Sequence, residues 1–141
     1  MIRYLIDSSA LWRVMREAPL RSAWGEVITA AAVGSCHPQR VEFRRSARNP
    51  AEFEQMNDMF AALYPTVPIS KGVWRWADAA QYRLVRAGAH QAPSTVDLLI
   101  CGTAAISGLI VLHDDNDFVT AAAHLDDVFE RSVRDVPGQA V

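Results

Sequence analysis

Three carboxylates lie within a stretch of four residues late in the sequence: Asp114, Asp115 and Asp117. Like charges packed this closely repel each other, and either bulk water or a bound cation relieves the repulsion. The simpler alternative is a solvated acidic loop, in which Asp117 only occupies the first turn of the next helix. If other acids of the chain lie near these three in the folded protein, a bound cation becomes the better interpretation.

The residues before this acidic group predict a buried strand. Leu109 to Leu112 form a short apolar run rich in β-branched residues, and Gly108 precedes the run. Such a run is typical of a parallel strand that is covered on both faces. Open α/β sheets bind ligands beyond the carboxyl ends of their strands, so the acids stand where a site is expected.

Asp7 stands at the end of a second predicted strand, Ile2 to Ile6, and two hydroxyl residues, Ser8 and Ser9, follow it. One alternative is structural: any of these three polar residues suits the N-cap of a helix beginning near Ala10. If both strands are parallel neighbours, Asp7 and Asp115 lie at the same edge of the sheet.

Two more acids occur inside predicted helices. Glu42 lies in the middle of a helix opened by His37 and Pro38, and its alternative role is an exposed ion pair with Arg45. Asp97 lies in the first turn of an almost wholly apolar helix, where it would also complement the helix dipole. A buried helix start that carries a carboxylate must direct it at a partner or a cation.

Strands and helices alternate along the chain, which predicts a three-layer α/β/α sandwich with a mainly parallel sheet of four or five strands. The sequence predicts one domain over residues 1–141, with a frayed end after about residue 134. The predicted strands span residues 2–6, 32–36, 67–69, 109–112 and 128–129. The predicted helices span 10–19, 21–32, 37–49, 51–64, 71–89 and 94–107, with a short one over 118–124.

The composition narrows the class of protein. Half of the residues are apolar and 21% are charged, which is typical of a globular domain, and the net charge of −2 gives no overall field that attracts nucleic acid. Cys36 and Cys101 are expected to be free thiols. The sequence shows no secretory signal and no apolar run of the ~20 residues that a membrane helix needs, so we expect a soluble, cytoplasmic protein without membrane contact. The four tryptophans are expected in core or interface packing.

Carboxylates without a histidine or cysteine partner favour a hard cation, Mg²⁺ or Mn²⁺. The four histidines have no spacing typical of zinc ligands, and we expect His113 to be a packing residue at a strand end. Arginine supplies thirteen of the fourteen basic residues. Arg40, Arg44 and Arg48 are spaced four apart, so they would line one helix face. That face would be either a solvated stripe or a groove that binds phosphates.

Four motifs in order resemble the PIN-domain ribonucleases, and most of all the VapC-type toxins of prokaryotic toxin–antitoxin pairs. They are Leu-Ile-Asp7-Ser-Ser-Ala-Leu-Trp, a helix with Glu42, Asp97-Leu-Leu-Ile-Cys-Gly-Thr-Ala-Ala, and Val-Leu-His-Asp-Asp115-Asn-Asp117-Phe118. The resemblance covers the whole chain and implies a PIN-like fold. It implies that the metal-binding catalytic acids are Asp7, Glu42, Asp97 and Asp115, with Asp117 assisting through water and Ser9 orienting the first acid. Asp114 falls outside the set, and Cys101-Gly102 replaces a bulkier pair.

The resemblance implies hydrolysis of RNA with Mg²⁺ or Mn²⁺, products with a 5′-phosphate and a 3′-hydroxyl, an antitoxin partner and a homodimer. Candidate contacts with the RNA backbone are Arg13, Arg16, Arg44 and Arg48. One alternative is a non-catalytic PIN-like module that binds RNA or protein. Another is a phosphotransfer domain with Asp7 as nucleophile. The latter lacks a suitable lysine, since Lys71, the one lysine in the sequence, opens a helix.

Overall fold

A parallel sheet of four strands lies at the centre of the computed structural model, which describes residues 1–138. The elements in chain order are β1 (Tyr4–Ile6), α1 (Ser8–Arg16), α2 (Ala18–Thr29), β2 (Val33–Gly34), α3 (His37–Arg44), α4 (Pro50–Leu63), α5 (Val73–Arg86), α6 (Thr95–Ser107), β3 (Ile110–His113), α7 (Asn116–His124) and β4 (Phe129–Ser132). This architecture confirms the predicted α/β fold with a parallel sheet.

The strand order is β2-β1-β3-β4, and every neighbouring pair is parallel. The chain leaves β1 toward β2 on one side and leaves β3 toward β4 on the other. The carboxyl ends of β1 and β3 therefore flank the point where the order reverses, which is the usual ligand crevice of such sheets. Asp7 follows β1 and Asp115 follows β3 by two residues, so both acids lie at this point.

Two apolar clusters cover the two faces of the sheet because successive side chains of a strand point in opposite directions. Tyr4 and Ile6 belong to one cluster with Leu112, whereas Leu5 and Val111 belong to the other. Each large apolar side chain that is fully buried contributes roughly 1.5–3 kcal/mol to the free energy of unfolding. Both faces are thus packed against helices, which gives the three predicted layers.

Several predicted boundaries were wrong. The first helix begins at Ser8 and not near Ala10, because Asp7 is its N-cap and accepts a hydrogen bond from the amide of Ser9. Pro19 does not end that helix but stands in the first turn of α2, where its missing N–H costs nothing. The long fifth helix is shorter than predicted at both ends, at Val73–Arg86.

The strand predicted over residues 67–69 does not form. Thr66 makes only an isolated parallel bridge with Ser35. The prolines on either side, Pro65 and Pro68, lack the N–H that a longer ladder needs. The last strand lies slightly later than predicted, at Phe129–Ser132.

Gly108 ends α6 with φ 69 and ψ 34, a left-handed conformation that glycine adopts without strain, and this sets the entry into β3. Trp24 is fully buried, which confirms core packing there, whereas Trp74 is 61% exposed, so for Trp74 interface packing stays a prediction. Beyond residue 134, Val136 still packs against the core. The rest of the predicted frayed end, Gln139 to Val141, lies outside the described residues.

Cys36 and Cys101 are both buried free thiols, as expected. Over residues 1–138, none of the helices combines the length and the apolar character that crossing a bilayer requires.

Candidate metal centre

Asp7 is buried, with 4% exposure, at the carboxyl end of β1. Its Oδ2 accepts hydrogen bonds from the amide of Ser9 at 3.0 Å and from the Ser9 hydroxyl at 2.6 Å. Its Oδ1 is buried without a hydrogen-bond partner among the described residues. A buried carboxylate oxygen with no partner is costly, so this atom is suited to a ligand that the protein does not itself provide.

Ser9 links the two strand ends. Its hydroxyl donates to Asp7 and accepts a hydrogen bond from the amide of Asp114 at 2.9 Å. The loop after β3 is thereby fixed against the start of α1. Asp114 itself turns away, since its carboxylate pairs with Arg13 at 2.8 Å and with Arg134 at 3.3 Å.

Asp97 stands at the third position of α6 and is 8% exposed. It forms a capping box with Ser94: the amide of Ser94 donates to Asp97 Oδ2 at 2.9 Å, and the amide of Asp97 donates to Ser94 Oγ at 3.1 Å. Two amides at the helix start, those of Ser94 and Asp97, are satisfied by this pair. The structural role considered for Asp97 is therefore real, and its carboxylate is held in one orientation.

Asp115 is the N-cap of α7, and its Oδ1 accepts a hydrogen bond from the amide of Asp117 at 2.9 Å. Its own amide donates to Nδ1 of His113 at 3.1 Å. Asp117 lies in the first turn of the same helix. Negative charge is favourable at a helix start, which offsets part of the repulsion between the two acids.

Carboxylate oxygens of Asp97, Asp115 and Asp117 lie within 4.8 Å of one another, and in residues 1–138 no other group of three acids, histidines or cysteines is this close. Asp7 and Glu42 lie outside that compact trio. They are still near enough for charge effects, because the negative charge of Asp7 contributes to the raised pKa values of Glu42 and Asp97.

The acids raise one another's pKa values. Burial, followed by the charges of Asp7 and Asp115, raises the pKa of Asp97 to about 6, against the hydrogen bonds from Ser94. Burial is also the largest cause of the raised pKa of Asp7 and of Glu42. The pKa of Asp117 is raised by desolvation and by the charge of Asp115. Such a group gains from a cation that neutralises it.

Sequence reasoning missed a polar network behind Glu42. Gln39 lies one turn earlier on α3, is fully buried, and donates from Nε2 to the hydroxyl of Ser8 at 3.1 Å. The Ser8 side chain in turn offsets part of the rise in the pKa of Glu42 that burial causes. A glutamine three residues before a candidate acid lies on the same helix face, and this spacing was the available signal.

The arginines differ in how they are held. Arg40 donates to the Ser35 hydroxyl and to the carbonyl of Tyr64. Arg44 donates to Asn57, and Arg48 forms an exposed ion pair with Glu52 at 2.7 Å. The three residues spaced four apart do not form one stripe of free cations.

The two other arginines proposed for RNA contact are also held. Arg13 pairs with Asp114, and Arg16 lies over the ring of Trp12 at 4.4 Å. In residues 1–138, Arg16 and Arg44 form no salt bridge with a carboxylate.

The donor set fits a hard divalent cation. The compact trio offers carboxylate oxygens. Oδ1 of Asp7, which is buried and has no hydrogen-bond partner in residues 1–138, adds another carboxylate oxygen. The histidine beside the acids, His113, is 2% exposed, and its Nε2 is hydrogen-bonded to Glu130, so that nitrogen already has a partner within the protein. Oxygen ligands of this kind suit Mg²⁺ or Mn²⁺.

The strand order, the acids at its reversal point and their caps define a class of protein. The chain belongs to the PIN-domain family, whose model matches residues 4–123. Within that family its relatives are ribonucleases of the VapC type. It is 63% identical over 102 residues to Ribonuclease VapC6 of Mycobacterium tuberculosis, covering 72% of this chain and 80% of that protein. It is 36% identical over 123 residues to Ribonuclease VapC2 of the same species, covering 86% of each.

Solved structures share the fold. VapBC-1 from nontypeable Haemophilus influenzae superposes with a TM-score of 0.75 at 12% identity, over 95% of this chain and 99% of that one. The DNA-bound VapBC of Salmonella typhimurium gives 0.74 at 12% identity, over 94% and 99%. At this identity the likeness concerns the fold alone. The predicted PIN-domain, VapC-type assignment is confirmed by the family match and the curated relatives.

Proposed function

We propose that this chain is a divalent-metal-dependent endoribonuclease and the toxin of a toxin–antitoxin pair. The observation that carries the proposal is the convergence of Asp97, Asp115 and Asp117 within 4.8 Å, beside the buried unpaired oxygen of Asp7. The relatives named as VapC ribonucleases support the substrate class. The preference for Mg²⁺ or Mn²⁺ follows from the oxygen donors.

Asp7, Asp97 and Asp115 would hold the cation, with Asp117 and Glu42 around it. Bound there, a divalent ion supplies neutralisation of phosphate charge and Lewis acidity. The protein contributes carboxylates that are fixed before substrate arrives. Ser9 donates two hydrogen bonds to the carboxylate of Asp7, and Ser94 donates one to the carboxylate of Asp97. Preorganised groups of this kind need little rearrangement during the reaction.

The reaction is in-line hydrolysis of an RNA phosphodiester. Water adds to phosphorus and the 3′ oxygen leaves, so that the products carry a 5′-phosphate and a 3′-hydroxyl. Asp117 is half-buried at the edge of the trio and is the candidate for orienting that water. Asp97, with a pKa of about 6, is ionised and ready to bind metal above that pH.

Four arginines are proposed to hold the RNA backbone: Arg13, Arg16, Arg44 and Arg48. Arg16 and Arg44 have no carboxylate partner in residues 1–138. Arg13 would leave its ion pair with Asp114 to bind a phosphate, and Arg48 would leave its ion pair with Glu52. Removing an arginine that binds a phosphate should make RNA binding less dependent on salt, by about one in the log–log slope. Arg16→Ala should show this, and Arg75→Ala, on α5, is the matched control.

Cleavage of a structured RNA in Mn²⁺ tests the catalytic proposal. The wild type should cut, whereas Asp7→Asn and Asp97→Asn should cut at least about a hundredfold more slowly, because each removes a charged ligand. Asp58→Asn changes an exposed acid on α4 and should cut like the wild type. Equal cleavage by all four proteins would contradict the proposal. Identifying the end groups of the products tests whether the bond between phosphorus and the 3′ oxygen is the one that breaks.

The partners are an RNA substrate, a cognate antitoxin and a second copy of this chain. The antitoxin is supported by the VapBC complexes that share this fold. Coexpression with the product of an adjacent short reading frame should yield a complex that no longer cleaves RNA. Light scattering on the toxin alone tests the homodimer, and a monomer at all concentrations would contradict it.

A further inference from the structure

His113 is the last residue of β3 and is 2% exposed, two residues before Asp115. Both ring nitrogens of His113 form hydrogen bonds. Nδ1 lies 3.1 Å from the amide nitrogen of Asp115, and Nε2 lies 2.7 Å from Oε1 of Glu130. Buried ring nitrogens normally need partners, and here the partner of Nδ1 is the backbone of a candidate metal ligand.

The two bonds fix the tautomer of the ring. The amide of Asp115 can only donate, so Nδ1 must accept and the ring proton resides on Nε2. Nε2 then donates to the carboxylate of Glu130, and a bond to a charged acceptor is stronger than a neutral one. Glu130 therefore selects the tautomer that His113 needs in order to hold Asp115.

The register of the sheet makes this arrangement possible. Glu130 on β4 pairs with Val111, two residues before His113, so Glu130 and His113 point to the same face. On that face the His113 ring also lies against Phe118 of α7, with centroids 5.2 Å apart and an interplanar angle of 31°. The imidazole is thus fixed by β4 on one side and by α7 on the other.

We propose that His113, oriented by Glu130, is a positioning residue for Asp115, and this inference rests on the metal-dependent function proposed above. The imidazole holds the amide of Asp115, and the amide of Asp117 holds its Oδ1. With both bonds made, Asp115 keeps its extended N-cap conformation, at φ −147 and ψ 122. Its carboxylate is then presented to Asp97 and Asp117 before any cation binds.

Two substitutions of His113 separate positioning from packing. The side-chain oxygen of His113→Asn falls near the place of Nδ1 and still accepts from Asp115. The terminal amide of His113→Gln falls near Nε2, so it reaches Glu130 and leaves the Asp115 amide without its acceptor. Glutamine is the larger of the two, so a packing role alone would favour it.

The readout is Mn²⁺ binding measured by calorimetry in the absence of RNA, with urea unfolding of each variant in EDTA. Loss of a bond that orients a metal ligand typically weakens metal binding about tenfold or more. We expect His113→Gln to bind Mn²⁺ about tenfold more weakly than the wild type, and His113→Asn within about twofold of it. Equal binding by the two variants, or weaker binding by His113→Asn, would overturn the inference.

Glu130 gives a second test, because its side chain is 28% exposed and its replacement should not prevent folding. Glu130→Gln keeps an acceptor for Nε2 and should leave Mn²⁺ binding within about twofold, whereas Glu130→Leu should weaken it about threefold to tenfold. Amide exchange at Asp115 should quicken in Glu130→Leu and His113→Gln only. Unchanged exchange and binding in both would refute the positioning role.

Asp97→Asn separates this inference from the proposed function. If Asp97→Asn binds Mn²⁺ as the wild type does, the metal centre itself is wrong. If it loses binding while His113→Gln and Glu130→Leu keep theirs, the metal centre stands and the positioning role of His113 fails.

Discussion

Asp97→Asn should make the metal-free protein more stable while it destroys the site. Burial and the charges of Asp7 and Asp115 raise the pKa of Asp97 from its ordinary 3.8 to about 6. The folded chain therefore binds its proton more tightly than the unfolded chain, and stability falls as the pH rises from about 3.8 to about 6. Above that window the ionised carboxylate costs about 3 kcal/mol at most, at 1.36 kcal/mol for each tenfold change in proton affinity.

The substitution leaves the helix cap intact. The amide of Ser94 donates to Oδ2 of Asp97 at 2.9 Å, and the side-chain oxygen of asparagine can accept the same bond. The expected gain in the free energy of unfolding at pH 7.5 is therefore about 2 kcal/mol, after allowance for relaxation around the site. At pH 4.5, within the window, the gain should shrink to about 1 kcal/mol or less.

Urea unfolding in EDTA, followed by tryptophan fluorescence, to which the buried Trp24 contributes, measures both values. Saturating Mn²⁺ should reverse the order, because a ligand at 100 times its dissociation constant stabilises the wild type by about 2.7 kcal/mol. Asp58→Asn, an exposed acid on α4, should shift neither value. A metal-free Asp97→Asn less stable than the wild type at pH 7.5, or a gain independent of pH, would refute this reasoning.

Three further substitutions test other parts of the chain. Ser9→Ala removes the hydroxyl that lies 2.6 Å from Oδ2 of Asp7 and should weaken Mn²⁺ binding about tenfold in calorimetry, with Ser9→Thr restoring most of it. Identical binding by the two Ser9 variants would contradict an orienting role. Gln39→Leu removes the buried donor to the Ser8 hydroxyl, together with an unpaired amide oxygen, so it should slow RNA cleavage several-fold while the free energy of unfolding changes by less than about 1 kcal/mol. A slower rate matched by an equal loss of stability would point to misfolding. Phe43→Ala opens a cavity at a core residue that is 1% exposed and should cost about 3–5 kcal/mol in urea unfolding. A cost below about 1 kcal/mol would mean that the site collapses to fill the space.

The alternation of strands and helices was readable from the sequence because hydrophobic periodicity and caps are local. The helix predicted over residues 94–107 ends as predicted, since Gly108 adopts the positive φ that stops it. The strand predicted around Val67 does not form because too few of its residues meet a partner strand. Whether a short run pairs depends on which edge is beside it, and only Thr66 meets a partner there.

The sequence by itself determined which acids stand at element ends: Asp7 after β1, Asp97 in the first turn of α6, and Asp115 after β3. Those positions follow from capping and from strand ends, which involve residues only a few apart. The tertiary structure alone decided which oxygens come close. It brought Asp117 into the compact trio and left Asp7 beside it.

The pairing of His113 with Glu130 across β3 and β4 was likewise invisible in the sequence. The two lie 17 positions apart in the sequence, and only the parallel register of those strands places them on one face. Distances between residues far apart along the chain are set by sheet order and helix packing. No local pattern encodes them, because the same caps and strand ends are compatible with several strand orders.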